Sequence, residues 1–293
     1  MLNFQPVRFK DKELFEKYLC QPGMYGCDNS FANYFIWQEA YHTEWTCFRD
    51  VLLVKIEHWG RNYFMTPLGM KPEDYRPVAD ALMEYNGGTL NFEGIYENHL
   101  PLIKTMFPQA VITEDLDNTD YIYLQKELAS FDGRKFHGQK NHLNAFYREH
   151  PDATYEPITQ SNTLECFNFA LNWCEIQSAK DITVFDEELA LHKAFLYFDK
   201  LGFRGGAIRF NGKIHAMSMG EKYLDDIVDV HFEKADRNVR GLYVAMCQAF
   251  AANAWNDVLY LNREEDMGIE GLRTAKQNLH PVMLWKRYSA EIK

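Results

Sequence analysis

Gly205-Gly206-Ala207-Ile208-Arg209-Phe210-Asn211-Gly212-Lys213-Ile214-His215-Ala216-Met217-Ser218-Met219 reads as a β-hairpin. Two strand-like runs flank Asn-Gly, a pair that readily takes the positive φ of a two-residue turn. Asp226 to Glu233 is the next strand, from its period-two alternation. Upstream, Thr154–Ile158 is a strand, and helices follow over Asn162–Ser178 and Asp186–Leu201. Downstream, Arg240–Ala252 is a helix with Leu242, Ala245, Met246, Ala249 and Phe250 on one face. Val258–Leu261 is a strand, Ile269–Asn278 a helix and Val282–Trp285 a last strand. The order of this half is therefore β-α-α-β-β-β-α-β-α-β.

That order is the one of acetyltransferase-like (GNAT-type) domains. The first half carries a shorter version. Helices are expected over Lys10–Cys20, Phe31–Tyr41, Pro72–Tyr85 and Glu97–Met106. Strands are expected at Val51–Ile56, Asn62–Thr66, Thr89–Gly94 and Tyr121–Leu124, with a turn through His58–Arg61. Lys126 to His150 differs from both halves in being basic, with a helix over about Gly138–Glu149. The expectation is an α/β (α+β) chain of two tandem GNAT-like (acyl-CoA N-acyltransferase) domains with mixed, mostly antiparallel sheets. Residues 1–127 form the first domain, 128–151 a basic helical connector and 152–293 the second domain.

The 293 residues are enough for two cores. A net charge of −11 excludes a generally basic nucleic-acid-binding surface, though not a local basic patch. No signal peptide and no apolar window of membrane-spanning length is seen, so a cytoplasmic protein without stable membrane insertion is expected. The six cysteines form no CxxC pair, and Cys174 and Cys247 sit in apolar stretches that suit buried, reduced thiols. No HExxH, zinc-finger spacing, EF-hand, GxSxG or Walker A motif occurs, and no metal is expected.

Three segments carry ionisable groups in suggestive places. In the strand Ile227–Glu233, alternation sets Val228, Val230 and Phe232 on one face and Asp229, His231 and Glu233 on the other. Such a row can act as acid and base; it can equally be a solvated face around a core histidine. Arg237, Arg240 and Gly241 then precede a helix. A helix N-terminus beside arginines suits phosphate, and in a GNAT the pyrophosphate of coenzyme A sits there. The usual loop has two glycines, and only Gly241 remains, so the alternative is arginines on a solvated helix start. The second segment runs from Asn262 and Arg263 through Glu264, Asp266, Glu270, Arg273 and Lys276, at a strand's carboxyl end where α/β sheets often bind ligands. The third, Gly133-Arg-Lys-Phe-His-Gly-Gln-Lys-Asn-His-Leu-Asn, offers Arg134, Lys135, Lys140 and Asn141 to an anionic partner, or to solvent alone.

The third segment, Val230-His-Phe-Glu-Lys-Ala-Asp, and Asn262-Arg-Glu-Glu-Asp-Met-Gly-Ile-Glu-Gly-Leu-Arg-Thr-Ala-Lys together resemble a bacterial family related to the cytosolic C-terminal domain of phosphatidylglycerol lysyltransferases. The resemblance spans essentially the whole chain. It implies two tandem GNAT-like domains, a double fold shared with Fem-type peptidoglycan aminoacyltransferases. It also implies relatives that move an aminoacyl group from charged tRNA to a lipid.

The expected activity is acyl or aminoacyl transfer to an amine or hydroxyl, with charged tRNA or acyl-coenzyme A as donor. Asp229, His231 or Glu233 would take the proton. Glu264, Asp266 and Glu270 would hold a cationic aminoacyl group, and Arg134, Lys135 and Lys140 would meet phosphates. Two other readings remain open: a non-catalytic binding module on the same fold, and an acetyl-coenzyme A-dependent N-acetyltransferase.

Overall fold

The computed structural model describes residues 2–58, 60–178 and 184–293. The first elements are β1 (Gln5–Pro6), α1 (Lys12–Leu19), α2 (Phe31–Ile36), β2 (Glu44–Phe48), β3 (Val51–His58), β4 (Arg61–Phe64), α3 (Tyr75–Tyr85), β5 (Leu90–Tyr96), α4 (Leu100–Met106) and β6 (Val111–Leu124). There follow α5 (Gln125–Ser130), α6 (His137–Glu149), β7 (Thr154–Pro157), α7 (Thr163–Ser178), α8 (Val184–Leu196), α9 (Phe198–Leu201), β8 (Arg204–Phe210), β9 (Lys213–Leu224) and β10 (Ile227–Ala235). The chain ends with α10 (Leu242–Ala254), β11 (Tyr260–Asn262), α11 (Glu270–Asn278) and β12 (Met283–Ile292).

Two compact units form. The first is Met1–Asp120 with Glu265–Gly268 and Trp285–Lys293; the second is Tyr121–Glu264 with Ile269–Leu284. Their sheets follow one plan. In the first, β1, β2, β3 and β4 pair antiparallel in turn, β4 pairs parallel with β5, and β5 pairs antiparallel with β12. In the second, β7, β8, β9 and β10 pair antiparallel in turn, β10 pairs parallel with β11, and β11 pairs antiparallel with β6. Both halves of the chain thus carry the same strand pattern, including the half whose element order is the shorter.

The unit boundaries differ from 1–127, 128–151 and 152–293. The reason is hydrogen bonding: Arg287–Ile292 pair with Tyr96–Leu90, which draws the C-terminal strand into the first unit. The basic stretch belongs to the second unit, where Leu143 and Phe146 of α6 join the core that also holds Leu242, Met246 and Phe250 of α10. The expected hairpin is present, with Asn211 and Gly212 at φ +49° and +74°. Trp59 of the His58–Arg61 turn lies outside the described residues. The helix expected over Asp186–Leu201 breaks after Leu196, and α2 ends at Ile36. Helix α10 buries Leu242, Ala245, Met246, Cys247, Ala249, Phe250 and Ala251, more than one face. It is a core helix, which explains its almost uniformly apolar sequence.

Burial in the first unit is not all apolar. The Arg287 guanidinium on β12 donates to Asp120 Oδ1 at 2.7 Å and lies 3.2 Å from Asp28 Oδ2. Burial works against its charge, but Asp120 and Asp28 outweigh that and raise its pKa. Nearby Glu93 is pushed up to about 7 by burial, then by Asp115 and Asp28. Its folded pKa lies above the unfolded value, so stability is lost as pH rises through about 7. Glu93→Gln removes that loss. In thermal denaturation from pH 4.5 to 8.5, the variant should match the wild type at low pH and exceed it by a widening margin up to about pH 7. A margin independent of pH would contradict this.

Candidate functional site

The parallel pair of the second unit is short. β10 and β11 are in register only over Ile227–Asp229 and Tyr260–Asn262, and β10 then runs on to Ala235. Where pairing with β11 stops, β10 also slips against β9: Asp229 faces Glu221, yet Phe232 faces Met219. One extra residue has been accommodated, which is a β-bulge. A bulge reverses the alternation beyond it, so the single row of Asp229, His231 and Glu233 does not form. Glu233 turns to the α10 side, where its Oε1 accepts from Arg263 Nη2 at 2.6 Å and Arg263 lies 5.7 Å from the Tyr123 ring centroid. Tyr123, Cys247, Val228, Val230 and Ala235 share that core.

His231 faces the other way, and three carboxyl groups surround it. Its Nε2 is 3.3 Å from Glu221 Oε1, and its Nδ1 is 3.2 Å from Glu264 Oε1 and 3.7 Å from Asp229 Oδ2. Burial works against the imidazolium, but Asp229, Glu221 and Glu264 outweigh it and hold the pKa well above the ordinary value. The three carboxyl groups thus favour the charged imidazole over the neutral one.

Glu264 reaches His231 from a strained turn. It sits at φ +55°, rare for a residue with a side chain. The turn is held on both sides. Asn262 Oδ1 accepts from Glu264 N at 2.8 Å, and the buried ammonium of Lys276 donates to the carbonyls of Arg263 and Glu264 at 2.6 and 3.0 Å. Lys276 therefore works through the backbone. Burial raises the Glu233 pKa while Arg263 and Lys276 pull it down. Burial likewise opposes the Arg263 charge, yet the net direction there is upward, and the pair stands as an ionic one.

The other expected residues lie elsewhere. Asp266 belongs to the first unit and is buried, accepting from Gly268 N at 2.9 Å. Glu270 is exposed at the start of α11, and Arg273 is half-buried one turn on. Gly241 is at φ +80°, and a Cβ there would meet the His142 carbonyl oxygen at 2.5 Å. Contact with α6 is reason enough for that glycine. Arg237 stacks on Trp173, 5.0 Å from the ring centroid, and Arg240 is exposed. The Asp236 carboxylate accepts from Asn238 N inside the same loop. Lys135 pairs with Glu127 and Lys140 with Asp132, both at 2.7 Å, while Arg134 and Asn141 are exposed. Two residues had no signal in the sequence that was read. Glu221 joins His231 from β9, and Trp173 packs against both Arg237 and Lys234. Among the described residues, Cys27, Asp120 and Glu265 bring possible metal-ligand atoms within 4.8 Å of one another. The Arg287 guanidinium already binds Cys27 Sγ and Asp120, so the cation held there is the protein's own.

Residues 22–291 match the family model for the C-terminal part of phosphatidylglycerol lysyltransferase. The crystal structure of a conserved protein of unknown function from Bacteroides thetaiotaomicron is similar over 100% of both chains, at 32% identity and a TM-score of 0.91. L-PGS from Bacillus licheniformis is similar over 99% of this chain and 93% of its own, at 12% identity and a TM-score of 0.67. FemX is similar over 99% and 97%, at 8% identity and a TM-score of 0.53. The last two likenesses concern the fold, which is the tandem acyltransferase-like fold expected from the element order. Among the described residues no helix is long and apolar enough to cross a membrane.

The charged state of His231 has a measurable consequence. Its folded pKa is raised, so its contribution is complete below the ordinary histidine value and is lost as pH rises through the folded value. His231→Gln should cost about 3–5 kcal/mol at pH 6, because it strips three carboxylates of their cation. In denaturant titrations from pH 6 to pH 10 the cost should shrink. A cost constant across that range would mean that the imidazole is neutral.

Proposed function

The chain belongs to the family of phosphatidylglycerol lysyltransferase C-terminal domains, and on that premise we propose that its second unit is an acyltransferase centre taking an aminoacyl ester as donor. The observation that carries this is the parting of β10 from β11 after Asp229 and Asn262, with a bulge at the same point. Ligands of open sheets bind at the carboxyl ends of parallel strands where neighbours diverge. Here that place holds three carboxyl groups around one buried imidazolium.

The chemistry follows from these charges. An acceptor amine or hydroxyl attacks the ester carbonyl carbon. A carboxylate of the cluster, Glu264 or Asp229, takes the acceptor's proton. The ester C–O bond breaks, and the carboxyl group returns that proton to the departing ribose oxygen. His231 keeps the carboxylates in place and limits their mutual repulsion. The carboxyl groups of the cluster suit the ammonium of an aminoacyl group. An uncharged acetyl group would gain nothing from it.

Acyl-coenzyme A is the less suitable donor. Contact with the His142 carbonyl accounts for Gly241 without a phosphate, and the Asp236 carboxylate in the preceding loop repels phosphate. The basic stretch suits a tRNA backbone better. Arg134 is exposed, and the surface pairs of Lys135 and Lys140 are weak enough to exchange for phosphates.

The test follows loss of radiolabelled amino acid from a mixed pool of charged tRNA, with acetyl-coenzyme A as the competing donor. Glu264→Gln and Asp229→Asn should each slow ester turnover by about 10²-fold or more. Turnover unchanged in both variants, or turnover with acetyl-coenzyme A and none with charged tRNA, would refute the assignment.

A further inference from the structure

The first unit has its own parallel pair, and it is shorter still. β4 and β5 are in register at Phe64 and Phe92, after which Met65 N turns to the Val54 carbonyl. A narrow cleft forms where the strands part. Its lining includes Asp28, Tyr34, Thr66, Gly94, Tyr96 and His99, and its free space suits about one water-sized group. Gly94, at φ +62° in the middle of β5, lets the backbone come close to Asp28; a Cβ there would lie 3.0 Å from Asp28 Oδ2.

Two lining atoms stand out. Thr66 Oγ1 is on a residue only 6% exposed, and it has no hydrogen-bond partner among the described residues. His99 Nδ1 is buried and likewise without one. A buried hydroxyl without a partner costs on the order of 1–3 kcal/mol, so such atoms mark a place where something else bonds. Burial lowers the His99 pKa, which keeps the ring neutral and leaves one nitrogen able to accept. The Asp28 carboxyl is 15% exposed and bonded on Oδ2 by Tyr96 Oη at 3.2 Å. Asp28, Asp120 and Glu265 all lie near the one guanidinium of Arg287. The raised pKa of Glu93, partly caused by Asp28, reports the same negative field.

We propose that the first unit binds a primary ammonium group in the cleft between the diverging ends of β4 and β5. Its three N–H bonds match three acceptors: the Asp28 carboxylate, Thr66 Oγ1 and His99 Nδ1. An anion is repelled by Asp28, and a divalent metal would need more oxygen ligands than the lining offers. The inference does not depend on acyl transfer in the second unit.

Thermal-shift titrations of the full chain at constant ionic strength test it. The probes are methylammonium chloride, L-alaninamide, tetramethylammonium chloride and potassium chloride. Methylammonium should raise Tm saturably, and tetramethylammonium, which has no N–H, should not. A tighter response to L-alaninamide would identify an amino-acid carrier of the ammonium, and an equal response a head group recognised alone. Thr66→Val should weaken methylammonium binding by about tenfold. Asp28→Asn should abolish it. If Asp28→Asn fails to fold, the nearly isosteric Thr66→Val decides. No saturable response to methylammonium, an equal response to tetramethylammonium or potassium, or unchanged affinity in Thr66→Val would overturn the proposal.

Discussion

In each unit one parallel strand pair interrupts an antiparallel sheet, and that pair comes apart after one to three residues in register. Parallel strands need a crossover and cannot be closed by a tight turn, so they are free to diverge where side chains demand it. A diverging pair leaves backbone and side chains facing a gap that water or a ligand must satisfy. Buried polar groups gather near both gaps. In the second unit the gap holds Asp229, His231 and Glu264, and in the first it holds Asp28, Thr66 and Tyr96.

Burying carboxylates near such a gap is costly unless a cation is held with them. The two units use different cations. The second uses an imidazolium on the bulged strand itself, whose charge depends on its carboxylates. The first uses the Arg287 guanidinium, which stays charged at any accessible pH and is delivered by the last strand. This gives the C-terminal segment an electrostatic role beyond pairing with β5. It also explains why the basic atoms of both clusters are buried and bonded, whereas the basic stretch at 134–148 is exposed and paired only with nearby surface acids.

The elements were readable where local physics decides them. Asn211-Gly212 specified its turn, and the apolar run of α10 specified a buried helix. The exchange of end strands was not readable, because pairing partners distant in sequence leave no mark on either strand. The polar run Val111–Asp120 has little burial to announce it and is a strand by hydrogen bonding. The site was half readable. Asp229, His231 and Glu264 do converge, but Glu233 does not join them, since a bulge shifts alternation without changing composition. Glu221 carries no motif, and it is placed by its register opposite Asp229. Lys276 and Gly241 fit a ligand-binding pattern by sequence, and in the structure a strained turn and a close helix account for them.

The strain at Glu264 ties these points together. A left-handed residue with a long side chain persists only where its surroundings fix it. Asn262 and Lys276 do that from opposite sides, and Lys276 comes from α11, which follows in the chain. Of the ionisable residues in the Asn262–Lys276 segment, Glu264 meets His231, while Lys276 and Asn262 hold its backbone. The long stretch that carries the family resemblance thus brings one carboxyl group, that of Glu264, to His231 and holds the turn beneath it.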